Sequence, residues 1–179
     1  MDGRRRKGDE RRRELREATM RVIARGGIAA VTQRAVAAEA GLTPSLVSYH
    51  FPTVDALLSA TLAAVNDAYV AALGRCARDA DPVPALAALV AQAAGSERGY
   101  TVDAEYELFL QAGRRPALRE EWSRWTGALD ALLAPLVPEP ARRAGVGAAV
   151  DGLFLRCWCD PVPWRAGDVE TVLRALLPA

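Results

Sequence analysis

The sequence predicts an all-α protein of about nine helices, with a small N-terminal domain followed by a larger C-terminal one. Apolar residues recur at spacings of three and four through most of the 179-residue chain, which is the period of an amphipathic helix. No segment of strand length alternates apolar and polar residues, and glycine- and proline-containing breaks separate the periodic segments. We therefore expect residues 1–52 to form the first domain and residues 53–179 the second.

The N-terminal segment is strongly basic, although the net charge of the whole chain is only +1. Two interpretations stay open: a solvated tail, or an arm that neutralises DNA phosphates or enters a minor groove. An apolar stripe over residues 15–23 then predicts the first helix, which ends at Gly26-Gly27 in the manner of a C-cap. The basic residues are Arg4, Arg5, Arg6, Lys7, Arg11, Arg12, Arg13 and Arg16.

Two short helices joined by a tight turn follow the first helix. Thr32 is placed to cap the second helix, and Gly41 is placed to end it. Thr43 is placed to cap the third helix, which has Pro44 at its first position, where a missing N–H costs nothing. This order of elements predicts a helix-turn-helix. The two short predicted helices are Gln33–Ala40 and Pro44–Phe51.

The third predicted helix has one apolar and one polar side. At about 100° per residue, Val47 and Phe51 fall on one side of the helix. Short polar residues and one tyrosine fall on the opposite side, which suits entry into a major groove about 12 Å wide. The residues of that polar side are Pro44, Ser45, Ser48 and Tyr49.

The stretch from Thr32 to Phe51 resembles the DNA-binding motif of TetR-type transcription regulators. The matching residues run Thr-x-Arg-x-Val-Ala-x-x-Ala-Gly-Leu-Thr-Pro-Ser-Leu-Val-Ser-Tyr-His-Phe without a gap. The resemblance implies that one set of residues faces DNA, with His50 at the edge of the packing core. That set is Thr32, Arg34, Thr43, Pro44, Ser45, Ser48, Tyr49 and His50.

Two positions depart from the family pattern. Ser48 stands where the family usually has tyrosine, and Val54 stands where it often has a phosphate-binding lysine. We expect the basic N-terminal arm to compensate, so that deleting residues 1–12 weakens operator binding and flattens its salt dependence.

The second domain is predicted to contain six helices. Thr53 is placed to cap the first of them, and Asp168 is placed to cap the last. Breaks at residues 81–84, 95–96 and 160–163 separate several of them. The six predicted helices are Val54–Cys76, Ala85–Ala94, Asp103–Ala112, Leu118–Leu136, Ala141–Cys159 and Asp168–Leu177.

The family resemblance implies that the second domain binds a small-molecule effector and dimerises through the last two helices. Small residues from Gly145 to Ala149 suit close packing across a two-fold axis. The segment Val150–Arg156 also resembles the corresponding part of BetI-like members. Acidic and aromatic residues on the intervening helices are candidate pocket residues, and ordinary core packing is the alternative for each. The candidates are Tyr69, Tyr106, Phe109, Leu110, Trp122, Trp125, Asp151, Phe154 and Trp158.

Composition argues against several other classes of protein. No apolar run approaches the roughly 20 residues that span a bilayer, and the N-terminus lacks an apolar signal segment, so we expect a cytoplasmic protein without a membrane partner. Three cysteines and one histidine, His50, predict neither a disulfide framework nor a metal site. No nucleophile–base spacing and no glycine-rich phosphate loop is visible, so neither an enzyme nor a cofactor is expected.

The sequence thus predicts a ligand-responsive transcription regulator that binds a palindromic double-stranded DNA operator as a homodimer. A repressor released by a small effector is the expected form, because an effector that changes the spacing of two recognition helices shifts the population away from the DNA-competent state. The alternative is a helical small-molecule-binding or protein-interaction module that does not bind an operator.

Overall fold

The computed structural model describes residues 2–93 and 102–178, without the side chains of residues 2–5, 93 and 102. The side chains of Arg4 and Arg5, residue Ala94 and the break at 95–96 therefore lie outside the described residues. Within the described ranges the regular structure is entirely helical, as the sequence predicts. The helices are α1 Asp2–Gly26, α2 Gln33–Ala40, α3 Pro44–His50, α4 Val54–Cys76, α5 Val83–Ala93, α6 Val102–Leu110, α7 Arg119–Leu133, α8 Pro140–Cys159 and α9 Ala166–Leu176.

Two compact units make up the chain. Unit 1 comprises Met1–Asn66 and Arg98–Trp122, and unit 2 comprises Asp67–Glu97 and Ser123–Ala179. The division falls inside α4, whereas the predicted domain boundary lies between residues 52 and 53. The predicted boundary separates a DNA-binding domain from an effector-binding domain, and it stays a prediction.

The three N-terminal helices pack around an apolar core in unit 1. Helix α1 packs against α2, and α2 packs against α3. The side chains that point into this core are fully or almost fully buried. Apolar burial of this kind contributes about 25 cal/mol per Å² and holds the short helices in place. The buried residues include Leu15, Ile23, Val36, Val47, Phe51, Leu57 and Leu58.

Local residues define the turn between α2 and α3. Thr32 Oγ1 accepts a hydrogen bond from the Ala35 N–H at 3.0 Å, so the predicted cap is present. Gly41 has a φ of 66°, a left-handed conformation that favours glycine. The predicted cap at Thr43 is only half right. Thr43 has extended backbone before α3, but its hydroxyl lies 3.0 Å from Ser45 Oγ and caps no N–H group.

The helices at the two ends of the chain begin earlier than their sequence patterns indicate. Helix α1 begins at Asp2, so the described part of the basic segment is helical rather than a tail without fixed structure. Helix α9 begins at Ala166, and Arg165 is its N-cap. The Asp168 carboxylate instead accepts a hydrogen bond from the Arg165 N–H at 2.9 Å, which places Asp168 at the third position of the helix as part of a capping box.

Helices α5, α8 and α9 form the core of unit 2. Helix α5 packs against both α8 and α9, through buried residues such as Leu86, Val150 and Leu173. An ion pair of 2.5 Å between Arg174 and Asp81 joins α9 to the segment before α5. The apolar stripes predicted for these helices thus lie on their inner faces.

By length and composition alone, helix α4 is long and apolar enough to cross a membrane. The described residues contain one helix of this kind. The expectation that no apolar run approaches bilayer-spanning length overlooked this helix. Core helices of soluble proteins meet the same test, and Leu57, Leu62 and Leu73 of this helix are buried in the fold. The buried Asn66 also interrupts its apolar face.

Candidate DNA-binding surface and effector-site residues

The exposed side of α3 is a compact polar surface. Val47 and the following Phe51 are buried, whereas the Tyr49 side chain is 80% exposed. The residues before the first turn and within it are exposed as well: Thr43, Pro44 and Ser45. The structure therefore places most of the predicted DNA-facing residues of α3 on one accessible side, opposite the core.

Ser48 differs from that expectation because its hydroxyl is bonded within the protein. Ser48 Oγ donates to Gln33 Oε1 at 2.8 Å and also lies 3.1 Å from the Pro44 carbonyl. Gln33 Nε2 in turn donates to the carbonyl oxygens of Phe51 and Pro52 at 2.9 and 3.1 Å. Gln33 thus fixes both the middle and the end of α3. The sequence did not reveal this role, because glutamine is a residue type usually found on protein surfaces.

Arg12 of the basic segment packs against the end of α3. Its Nη1 donates to the His50 carbonyl at 3.1 Å, and its guanidinium lies 4.5 Å from the centroid of the Phe51 ring. A cation at a helix C-terminus offsets the partial negative charge of the last carbonyls. Deleting residues 1–12, as the compensation hypothesis requires, would therefore also disturb the recognition helix.

His50 lies at the edge of the core, as predicted. Its ring contacts the Tyr49 ring edge-to-face, with the centroids 5.1 Å apart. Burial lowers the pKa of His50, and the nearby guanidinium groups of Arg12 and Arg11 lower it further. The imidazole is accordingly uncharged at neutral pH and is suited to packing and hydrogen bonding rather than to attraction of phosphate.

Helix α2 is held to α1 by an ion-pair network. Arg21 Nε lies 2.6 Å from Glu39 Oε1, and Arg25 pairs with the other oxygen of the same carboxylate. Arg25 and Arg21 together lower the pKa of Glu39 to about 2. Arg34, which begins the exposed side of α2, and Thr32 before it remain accessible. The two predicted contacts at the start of α2 therefore lie on a helix that is fixed to its neighbour.

A cleft of about 410 Å³ lies between α1 and α3. Its walls mix bases such as Lys7 with acids such as Glu10, and Leu46 and His50 close one side. Arg11 and Glu14 form an ion pair of 2.5 Å. The basic charge of this part of α1 is thus partly neutralised within the protein.

Four predicted effector residues contact one another in unit 2. The rings of Tyr69, Trp125 and Phe154 meet edge-to-face, with centroids 5.6 to 5.9 Å apart. Trp125 Nε1 donates to Asp151 Oδ1 at 2.9 Å. Burial raises the pKa of Asp151, and the hydrogen bond from Trp125 offsets part of that rise. We call these four residues the Asp151 cluster.

Other predicted effector residues lie in unit 1. The Phe109 and Trp122 rings meet edge-to-face at 6.3 Å, and Trp122 is 44% exposed. Tyr106 is half-buried on the same helix as Phe109, and Leu110 is exposed. Trp158, the remaining candidate, is exposed on α8 of unit 2. The structure thus brings four candidates together in unit 2 and Phe109 and Trp122 together in unit 1, and the role of all the candidates in binding stays a prediction.

Unit 1 also contains buried polar residues, of which sequence-based reasoning missed Asn66 and Glu121. Asn66 of α4 is fully buried, Glu105 of α6 is 3% exposed and Glu121 of α7 is 9% exposed. Asn66 Nδ2 donates to the Glu121 carbonyl at 2.7 Å and to Glu121 Oε2 at 3.0 Å. An available signal was the position of Asn66, four residues after Leu62 on an apolar helix face.

Helix α6 also contacts the turn after α1 in unit 1. Glu107 Oε1 accepts a hydrogen bond from the Ile28 N–H at 2.6 Å. The preceding Gly27 has a φ of 70°, and a Cβ there would lie 3.1 Å from the same oxygen. The carboxylate therefore fits closely against the backbone, and it joins a helix with predicted effector residues to the helix that supports α2 and α3.

Comparison with known proteins decides the family. Residues 15–61 match the model of bacterial regulatory proteins of the tetR family, and residues 77–179 match the tetracyclin repressor-like C-terminal domain. The chain belongs to the TetR family. Together the two matches include α2 and α3 as well as all helices from α5 to α9.

Relatives over nearly the whole chain support this assignment. The transcriptional regulator BetI of Paraburkholderia phytofirmans is 32% identical over 92% of this chain and 88% of its own length. A TetR-family structure from Streptomyces coelicolor is 36% identical with a TM-score of 0.82, covering 95% of this chain and 99% of that one. The multidrug binding protein EbrR complexed with malachite green is 34% identical with a TM-score of 0.81, over 95% and 99% of the two chains. EbrR structures with ethidium and with proflavin also match. As a TetR-family member, this protein is a ligand-responsive, DNA-binding transcriptional regulator.

Proposed function

We propose that this TetR-family regulator is a cytoplasmic repressor that binds a palindromic operator as a homodimer and leaves it when an effector binds. The observation that carries the proposal is the accessible polar side of α3, formed by exposed Thr43, Pro44, Ser45 and Tyr49 above a buried Val47. Two such helices about 34 Å apart would enter successive major grooves on one side of a duplex. The Ser48 hydroxyl, bonded to Gln33, would position the helix rather than contact a base.

The face proposed for dimerisation lies on α8 and α9. Exposed small residues follow one side of α8, at Gly145, Ala148 and Gly152, and Leu155 continues that side. Leu176 is exposed near the end of α9. Small residues let two helix backbones approach closely, and exposed leucines supply the apolar area that a stable interface needs.

The proposed effector is an aromatic cation. The bound compounds in the matching EbrR structures include ethidium, malachite green and proflavin. In this chain, the half-exposed Trp122 beside Phe109 offers a ring face in unit 1, and cations bind favourably to such faces. Helix α6, which contains Phe109, also contains Glu107, so its contact with Ile28 offers a route from effector to DNA-binding helices.

The first experiment measures binding to the DNA upstream of the protein's own gene at physiological salt. Arg34→Ala and Tyr49→Ala together should weaken binding at least about 30-fold, because each removes a contact worth about 1–3 kcal/mol. Arg75→Ala, at an exposed position in the last turn of α4, is the matched control and should leave the affinity unchanged. Equal affinities for the double variant and the control would contradict operator binding through α3.

A further inference from the structure

The buried amide of Asn66 has an oxygen that no hydrogen-bond donor reaches within the described residues. Its orientation is fixed by its partners, because the Glu121 carbonyl and carboxylate are both acceptors and require the amide nitrogen on their side. Oδ1 belongs to the same carboxamide, so it lies close to Glu121 but faces away from the two Glu121 acceptors. A buried acceptor without a donor costs about 1–3 kcal/mol, so this position favours a group that supplies an N–H or O–H.

Glu121, which contacts Asn66, belongs to a part of unit 1 that also contains acidic and aromatic residues. Glu121 is almost fully buried, and Trp122 follows it directly on α7. The Phe109 ring contacts Trp122, and the buried Glu105 lies one helical turn before Phe109 on α6. A buried acidic side chain favours a cationic ligand, and a half-exposed indole offers it a flat surface.

We propose that Asn66 and Glu121 form a polar subsite that takes an aromatic cation bearing exocyclic N–H groups. The Glu121 carboxylate attracts the positive charge, and Asn66 Oδ1 accepts a hydrogen bond from an amino group on the ring. A cation whose amino groups are fully methylated satisfies the first requirement and not the second. The inference rests on the proposed effector response, and it adds the residues and the ligand chemistry.

Three acridines that share one ring system test the subsite by fluorescence titration of the full-length protein. Proflavin is a cation with two exocyclic amino groups, acridine orange has those groups methylated, and acridine is uncharged at neutral pH. Proflavin should bind at least about tenfold more tightly than acridine orange, and acridine should bind most weakly. Acridine binding as tightly as proflavin would overturn the proposal.

Variants assign the preference to the two residues. Glu121→Gln should weaken proflavin binding at least about tenfold. Glu120→Gln, the same change at the preceding exposed residue, should alter it less than about twofold because exposed charges are screened by solvent. Equal losses in the two variants would show a long-range charge effect and overturn the subsite.

Asn66→Leu separates hydrogen bonding from ligand size. The variant should bind proflavin and acridine orange with similar affinity, whereas a purely steric preference would persist and overturn the role of Asn66. Thermal unfolding and operator binding check that each variant is folded. If Asn66→Leu is not folded, the proposal is tested by the acridine series and by the comparison of Glu121→Gln with Glu120→Gln. If the wild-type protein binds its operator but shows no saturable binding of any of the dyes, the subsite is overturned and the proposed operator binding is not. If the protein shows the expected dye preference but does not bind its operator, only the proposed regulation is contradicted.

Discussion

The Asp151 cluster of unit 2 and the Asn66–Glu121 pair of unit 1 contain the same kinds of group. In each, a carboxylate accepts a hydrogen bond from an uncharged N–H group, from Trp125 Nε1 in one and from Asn66 Nδ2 in the other. The two differ in what surrounds that bond. Trp125 is 5% exposed and its ring meets two other rings edge-to-face, whereas Asn66 brings an additional oxygen that lacks a donor within the described residues.

That difference shows how core packing can be distinguished from a binding subsite. Acidic and aromatic residues at helical spacing occur in both places, so the residue types alone do not separate them. In unit 2 the rings pack on one another, and the described indole donor has an acceptor. In unit 1 an acceptor is left over, and Trp122 has accessible surface. Remaining hydrogen-bond capacity beside an accessible ring is therefore the better indication of a ligand site.

The largest expected effect is on stability. Trp125→Ala should lower the free energy of unfolding by about 3–5 kcal/mol, because it removes a buried ring from the Asp151 cluster. Trp122→Ala, the same change at a half-exposed indole, should cost less than about 1 kcal/mol. Urea unfolding followed by far-ultraviolet circular dichroism, at one fixed protein concentration, measures both.

Similar losses for these two variants would remove the basis of the comparison, since both tryptophans would then act as core residues. Circular dichroism is preferred to tryptophan fluorescence here, because each substitution removes one of the four emitting residues.

The helix-turn-helix could be predicted from the sequence because its determinants are local. Thr32 caps the helix that follows it directly, and Gly41 supplies the left-handed residue at the turn. The start of α9 could not be predicted in the same way. An aspartate can serve as an N-cap or at the third position of a helix, and Asp168 takes the second role.

The polar contacts of the candidate sites depended on long-range contacts that no periodic pattern encodes. Asn66 and Glu121 are 55 positions apart in the chain, and Arg12 and the His50 carbonyl are 38 apart. Gln33 is a polar residue of a type usually found on the surface, and only the packed structure shows that it forms hydrogen bonds with Ser48 and with the end of α3. Aromatic candidates were found because helical spacing marks them, but spacing did not divide them between the two units.

A smaller effect is expected from the charge on Asp151. A carboxyl whose pKa is higher in the folded than in the unfolded state stabilises the fold while it is protonated. That stability is present below the ordinary value of 3.8 and is lost as the pH rises through the raised pKa of the folded state. Asp151→Asn avoids the charge and keeps an acceptor for Trp125, so it should raise stability at neutral pH by less than about 1 kcal/mol.

Unfolding midpoints of Asp151→Asn and the wild type, measured at a series of pH values from neutral to acidic, check this expectation. The gain should shrink as the pH falls. A constant difference across the range would mean that the substitution acts through packing rather than through ionisation.

The smallest expected effect is the one that separates the two carboxylates as ligand-binding groups. Asp151→Asn should change the affinity for proflavin by less than about twofold, because the Asp151 carboxylate accepts from the Trp125 indole and is set among packed rings. Glu121→Gln, which removes the same charge in unit 1, provides the comparison in the same titration. A loss of about tenfold in Asp151→Asn with none in Glu121→Gln would place the cation beside Trp125 and reverse the comparison. Because Asp151→Asn keeps the hydrogen bond from the indole, such a loss could not be attributed to a disrupted core.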